Sequence, residues 1–186
     1  MNTFMLDYTT QIQSLCDSLD RAGLEAMCAG LREAYDGGRK IFVAGNGGSA
    51  ATVNHFYSDL GKNAVKRSAK RMRIISLASN VEAITAIGND ISFDAVFSEQ
   101  LANLIEENDV LFLVSASGNS PNIVRAAQSA RERGGRVFAL TGFSGGELRE
   151  MADVCVHVAC DSYEMVEDMH LMITHMIVCY FKALNL

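Results

Sequence analysis

Two glycine- and serine-rich loops hold most of the residues suited to chemistry. The first, Gly45-Asn46-Gly47-Gly48-Ser49, offers three glycines whose backbones a ligand can approach closely, and the hydroxyl of Ser49. The second, Ser115-Ala116-Ser117-Gly118-Asn119-Ser120, adds the hydroxyls of Ser115, Ser117 and Ser120 and the amide of Asn119. Each follows a short apolar run and opens a stretch of helical periodicity. The free N–H groups and positive dipole end of a helix favour an anion there, and a phosphate monoester suits both loops. Neither has the Lys-Ser/Thr of a Walker loop. Residues 45–50 fit the loose GxGxxA form of the dinucleotide fingerprint, but the acidic residue that would hold a ribose hydroxyl is missing from residues 74–80. Serine and asparagine are also preferred at helix caps, so either loop alone reads equally as a turn and cap. Two of them at strand ends of one sheet point to binding.

A second group has the residue types of a metal site. His55 and Asp59 stand four apart on one helix and face the same way. Glu167 and His175 share the last helix; eight residues at about 100° each leave them about 80° apart around its axis. Two imidazoles and two carboxylates suit zinc or a similar divalent ion. Asp168 is a rival ligand, about 20° from His175, whereas His170 points about 140° away from it. His157, with apolar neighbours in a strand, reads as core. Without a ligand, His55 and Asp59 are an ordinary helix pair and His175 is a capped core histidine.

These groups need a scaffold, and the apolar pattern supplies one. Five short apolar runs, at residues 40–44, 74–77, 110–114, 136–140 and 154–158, predict strands. Helical periodicity fills residues 81–87, 93–106 and 164–184, and follows the two loops to about residues 60 and 133. Residues 4–36 predict helix with a break at residues 21–23, and Gly37-Gly38 ends it. Strands separated by helices imply right-handed crossovers and a five-stranded parallel sheet between helices, a three-layer αβα sandwich. Ligands of such sheets sit at the carboxyl ends of the strands, where both loops fall.

At 186 residues, 49% hydrophobic and 20% charged, the chain reads as one domain spanning residues 1–186. A net charge of −6 argues against nucleic-acid binding. The cations do cluster: Lys62, Lys66, Arg67, Lys70, Arg71 and Arg73 form a run that reads as a solvated loop, an anion-facing loop or a subunit contact. Five cysteines with no CxxC suggest neither a disulfide framework nor a cysteine zinc site, and fit reduced thiols in the cytoplasm. Residues 1–20 lack the basic start and apolar stretch of a signal peptide. No uninterrupted apolar run reaches the roughly 20 residues of a membrane span.

The order Ala44-Gly45-Asn46-Gly47-Gly48-Ser49, His55-Phe56, Gly88-Asn89-Asp90, Ser115-Ala116-Ser117-Gly118-Asn119-Ser120 and Leu140-Thr141-Gly142 is that of sugar isomerase (SIS) proteins. The chain resembles this family, in its phosphoheptose isomerase branch, over nearly its whole length. The resemblance implies interconversion of sedoheptulose 7-phosphate, or a close ketose phosphate, and the aldose heptose 7-phosphate. It puts substrate contacts on Asn46, Gly47, Ser49, Asn80, Ser115, Ser117 and Ser120, and proton transfer on Asp59 and His175. It implies zinc on His55, Asp59, Glu167 and His175, where Asp59 and Glu167 replace the family's Glu and Gln. It also implies a homotetramer with shared active sites, residues 1–38 contributing to its packing. The branch includes non-catalytic relatives of the DnaA initiator-associating type, which makes a sugar-phosphate-binding or protein-bridging module the alternative. Ala116 and Asn80 stand where the family has Thr and Asp. The family's Arg after the first active-site helix has no clean match, Lys62 being close.

Overall fold

The computed structural model describes residues 1–66 and 70–186, so Arg67 of the basic run lies outside the described residues. Five parallel strands form one sheet: β1 (Lys40–Gly45), β2 (Arg73–Ser76), β3 (Val110–Ser115), β4 (Arg136–Thr141) and β5 (Val154–His157). Their order is β2-β1-β3-β4-β5. From β1 the chain crosses to one side, and from β3 onward it fills the other, so a topological switch point lies between β1 and β3. Gly45 pairs with Val114, which sets the ends of these two strands side by side. The two glycine- and serine-rich loops therefore leave the sheet as neighbours at the place where ligands of such folds bind.

Every residue of β1 and β3 is buried, as continuous apolar runs in a parallel sheet require. Successive side chains alternate between two cores. Ile41, Val43 and Phe112 face α1 (Asn2–Asp17), α2 (Arg21–Gly37), α3 (Gly47–Asn63) and α8 (Tyr163–Ala183), through Leu31, Phe56, Leu60, Met169 and Ile173. Phe42, Ala44 and Leu111 face the layer of α4 (Val81–Asp90), α5 (Ser98–Ala102), α6 (Pro121–Glu132) and α7 (Gly146–Met151), through Phe97, Leu101, Ile123 and Leu148. The expected αβα sandwich is the observed one. Among the described residues no helix is long and apolar enough to cross a membrane.

Several expected boundaries move. The N-terminal helix breaks at residues 18–20, not 21–23: Asp20 accepts the Gly23 N–H at 2.9 Å and starts α2. Residues 93–106 do not form one helix; a 3-10 turn (Phe93–Ala95) and the short α5 replace it. β5 ends at His157.

The basic run has structural work. Lys70 and Arg73 donate to the carbonyls of Asp36 and Gly38 at the end of α2, and Arg71 donates to that of Gly61 near the end of α3. Cations there complement the negative helix end. Buried Asp109 accepts the backbone N–H of Lys40 at 2.7 Å and of Glu106 at 2.9 Å, and pairs with Lys40 Nζ at 3.2 Å, tying the start of β1 to that of β3.

Candidate functional site

Three helices begin at one pocket. Asn46 is the N-cap of α3 and Ser49 lies in its first turn; Ser120 is the N-cap of α6; Tyr163 is the first residue of α8. These residues, with Val114, Ser115, Ala116, Ser117 and Glu167, line a cavity of about 140 Å³ at the switch point. Each helix brings free N–H groups and its positive end. The hydroxyls add donors. Ser115 Oγ accepts the Gly118 N–H at 3.1 Å and Ser117 Oγ that of Asn119 at 3.3 Å, so each keeps its own proton for a ligand. Ser120 makes no side-chain cap bond, and Ser49 and Ser115 are buried. Among the described residues the lining contains no basic side chain. The arrangement suits an anion, which main-chain dipoles and hydroxyls would hold.

Not every expected contact offers the pocket a free group. Asn46 exchanges two amide hydrogen bonds of 2.9 Å with Asn122. Gly47 lies beyond the lining, at φ 52° with open space around it. Asn80 is engaged elsewhere, capping α4 by accepting the Ala83 N–H at 2.9 Å. Tyr163 is the lining residue that the motifs missed; its spacing of four before Glu167 on an amphipathic helix was the available signal.

Farther along the packed α3 and α8, His55, Asp59 and His175 bring one ligand atom each to within 4.8 Å of one another. Asp59 Oδ2 is 3.4 Å from Nε2 of His55 and 4.0 Å from Nε2 of His175. Asn63 donates to Asp59 Oδ1 at 3.0 Å, which leaves Oδ2 to the imidazoles. The two rings meet edge to face, with centroids 4.9 Å apart. Nitrogen and oxygen ligands around a tetrahedral zinc stand about 3.4 Å apart, so this trio fits a divalent ion with small side-chain adjustment. Both imidazoles are half-exposed, and neither is a capped core histidine.

Glu167 is not in that trio. Its carboxylate stands against Gly48 at the start of α3, inside the serine pocket. Asp168, the rival ligand, accepts the Tyr8 hydroxyl at 2.6 Å, a bond that pushes the phenol pKa up to about 12. His157 is half-buried rather than core, its Nδ1 3.1 Å from Thr141 Oγ1. His170 is wholly buried, and among the described residues neither ring nitrogen has a hydrogen-bond partner. Burial, with the neighbouring His157, drives its pKa down to about 4 against a smaller opposing pull from the Thr141 backbone.

The profile of the SIS domain matches residues 7–142. The phosphoheptose isomerase of Pelobacter propionicus is 42% identical over 154 residues, 82% of this chain and 80% of that protein. That of Geobacter sulfurreducens is 38% identical over 180 residues, 93% of this chain and 94% of the relative. The solved structure of phosphoheptose isomerase from Neisseria gonorrhoeae superposes with a TM-score of 0.89 at 29% identity, covering 98% of this chain and 96% of that one.

Proposed function

The chain belongs to the SIS-domain family, and we propose that it is an aldose–ketose isomerase acting on sedoheptulose 7-phosphate, or a close ketose phosphate, to give the aldose heptose 7-phosphate. One observation carries the reading: α3 and α8 each contribute both to an anion pocket and to a His/Asp/His trio. From Ser49 to His55 and from Glu167 to His175 the helices advance about 9 and 12 Å, at a 1.5 Å rise per residue. In a seven-carbon 2-ketose 7-phosphate, the phosphate and the reacting C1–C2 unit lie at opposite ends of the carbon chain. A phosphate among Ser49, Ser115, Ser117 and Ser120 then directs the carbonyl end toward Asp59 and His175.

Isomerisation takes a proton from C1, forms an enediol and returns a proton to C2, while a second group manages the oxygen proton. Asp59 serves as the carbon base and His175 as the oxygen acid. Their 4.0 Å separation lets both reach one carbon–oxygen unit. Binding of the remote phosphate fixes orientation at the reacting end. His55, Asp59 and His175 would alternatively hold zinc or a similar divalent ion, which when bound would polarise the carbonyl in place of the His175 proton. Glu167, a fourth ligand by resemblance, lies on the pocket wall and would reach that ion only by swinging away from Gly48.

We place the enzyme in the cytoplasm as a homotetramer with shared sites. All five cysteines are free, Phe4, Met5 and Leu6 on α1 are exposed, and among the described residues the pocket lining has no cation, a group that a second subunit would add. Residues 1–186 act as one domain, the helices before residue 38 serving the oligomer.

The test is incubation with sedoheptulose 7-phosphate, with and without zinc, following aldose formation. Asp59→Ala and His175→Ala should each cut turnover by about 10²–10⁴-fold with the fold intact. Absence of turnover by the unaltered protein under both conditions sinks the isomerase reading and leaves a non-catalytic sugar-phosphate binder.

A further inference from the structure

A cavity of about 140 Å³ is smaller than the roughly 300–1,000 Å³ of pockets that enclose whole small molecules. It admits one group of a ligand and leaves the remainder against its rim. Tyr163 stands on that rim: it lines the cavity and is nevertheless 57% exposed. It opens α8, and one turn on, on the same helix face, comes Glu167.

The ring of Tyr163 is not loose. It packs on Phe143, with centroids 4.6 Å apart and planes at 54°. Phe143 follows β4 at φ 49°, a left-handed conformation unusual for a bulky side chain. It is held there from both sides. The Phe143 N–H donates to the Cys160 carbonyl at 3.0 Å, and the preceding Gly142 N–H donates to the Ala116 carbonyl of the serine loop at 2.8 Å. An uncommon backbone conformation persists only where its surroundings impose it, and such residues gather at ligand sites. Here the consequence is a ring fixed beside the anion pocket.

We propose that Tyr163, backed by Phe143, is a specificity-determining residue that packs on the C–H face of the sugar next to the phosphate. The inference rests on the isomerase reading given above. A sugar carbon chain presents apolar C–H edges as well as hydroxyls. The exposed aromatic face covers the former, and the Glu167 carboxylate, one turn away, accepts hydrogen bonds from the latter. The pair favours uncharged polyol phosphates and disfavours acidic ones, whose second anion would meet Glu167. Phe143 acts through Tyr163 and is a positioning residue.

Tyr163→Ala should raise KM for sedoheptulose 7-phosphate about tenfold, change kcat less than about threefold, and leave competition by inorganic phosphate unchanged. Phe143→Gly, which suits the left-handed backbone, should reproduce part of the KM rise with kcat retained. The chain has no tryptophan, so Tyr163→Trp creates a single indole reporter. Its emission should shift with sedoheptulose 7-phosphate and stay still with inorganic phosphate. An unchanged KM in Tyr163→Ala overturns the proposal. So does an equal loss of sugar phosphate and inorganic phosphate, which would make Tyr163 part of the phosphate site. A silent indole in a variant that still turns over sugar phosphate also overturns it. If the unaltered protein neither binds nor converts the sugar phosphate, the isomerase reading has failed and this inference falls with it.

Discussion

The Glu167 carboxylate stands so close to Gly48 that a Cβ on that glycine would collide with both of its oxygens. An acidic side chain therefore already occupies the approach to the N-terminus of α3, where its charge is favoured by the helix dipole. The pocket combines serine hydroxyls suited to a phosphate with a carboxylate that would repel one. How these share the space decides what the pocket binds.

Gly48→Ala separates stability from function. The colliding atoms end a flexible side chain, and alanine is favoured over glycine in a helix, by less in the first turn, where Gly48 lies, than the about 1 kcal/mol of a helix interior. The variant should melt at or slightly above the temperature of the parent, while the displaced Glu167 raises KM several-fold. Thermal melting and steady-state kinetics on the same preparation check this; a large loss of stability with unaltered KM would contradict it.

Glu167→Gln keeps the shape and removes the charge. Two like charges a few ångströms apart in water-like surroundings repel by about 1 kcal/mol, so inorganic phosphate should compete about fivefold more tightly in the variant. An unchanged inhibition constant would mean that phosphate binds away from Glu167. Metal analysis of Glu167→Ala gives a second answer, since glutamine could still ligate: loss of bound ion would bring Glu167 into the coordination sphere.

His170 makes stability depend on pH. Above its unfolded value of about 6.5 the group is neutral in both states, and it costs nothing extra. As pH falls from there toward about 4, the unfolded chain takes up a proton that the buried ring refuses. Stability then drops by up to about 1.4 kcal/mol per pH unit, and the loss levels off once the folded ring is protonated too. His157 is also pushed down, chiefly by burial and then by Arg149, and adds slope of the same sign. His170→Leu should flatten the curve between pH 6.5 and 4 and match the parent near neutrality, since two unpartnered nitrogens are removed. Urea unfolding at several pH values reads the difference.

Asp109→Ala tests the tie between β1 and β3. It removes the acceptor of two backbone N–H groups and leaves Lys40 with Glu106 alone. Breaking a buried ion pair by deleting one partner costs about 3–5 kcal/mol, so the unfolding midpoint in denaturant should fall sharply. Asp109→Asn, which keeps one acceptor oxygen, should lose less.

The sheet was legible because its strands are buried on both faces, and β1 and β3 announce themselves as unbroken apolar runs. Their order was not legible, because crossovers of similar length lead to either side of β1. Gly23 looked like the break in the N-terminal helices; in fact its N–H is what Asp20 caps, and a side-chain hydrogen bond of this kind leaves no periodic trace. α7 was missed because six residues after Gly145 do not establish a period. The serine and glycine loops could be found since their chemistry is local. The place of Glu167 could not, since 80° around a helix from His175 is compatible with sharing its ligand or facing another site. The roles of Lys70, Arg71 and Arg73 were hidden too: their partners are backbone carbonyls at the ends of α2 and α3, which no side-chain pattern marks.

Three helix starts meeting at the switch point have one more consequence. The groups that would grip an anion there are mostly main-chain N–H groups, which almost no substitution removes. The capacity to hold a charged handle is thus inherited with the fold, whereas the walls around it, Tyr163, Glu167 and the His55–Asp59–His175 trio, are single side chains free to drift. Descent from one ancestor can then change the cargo, or abandon chemistry altogether, without ever losing the grip.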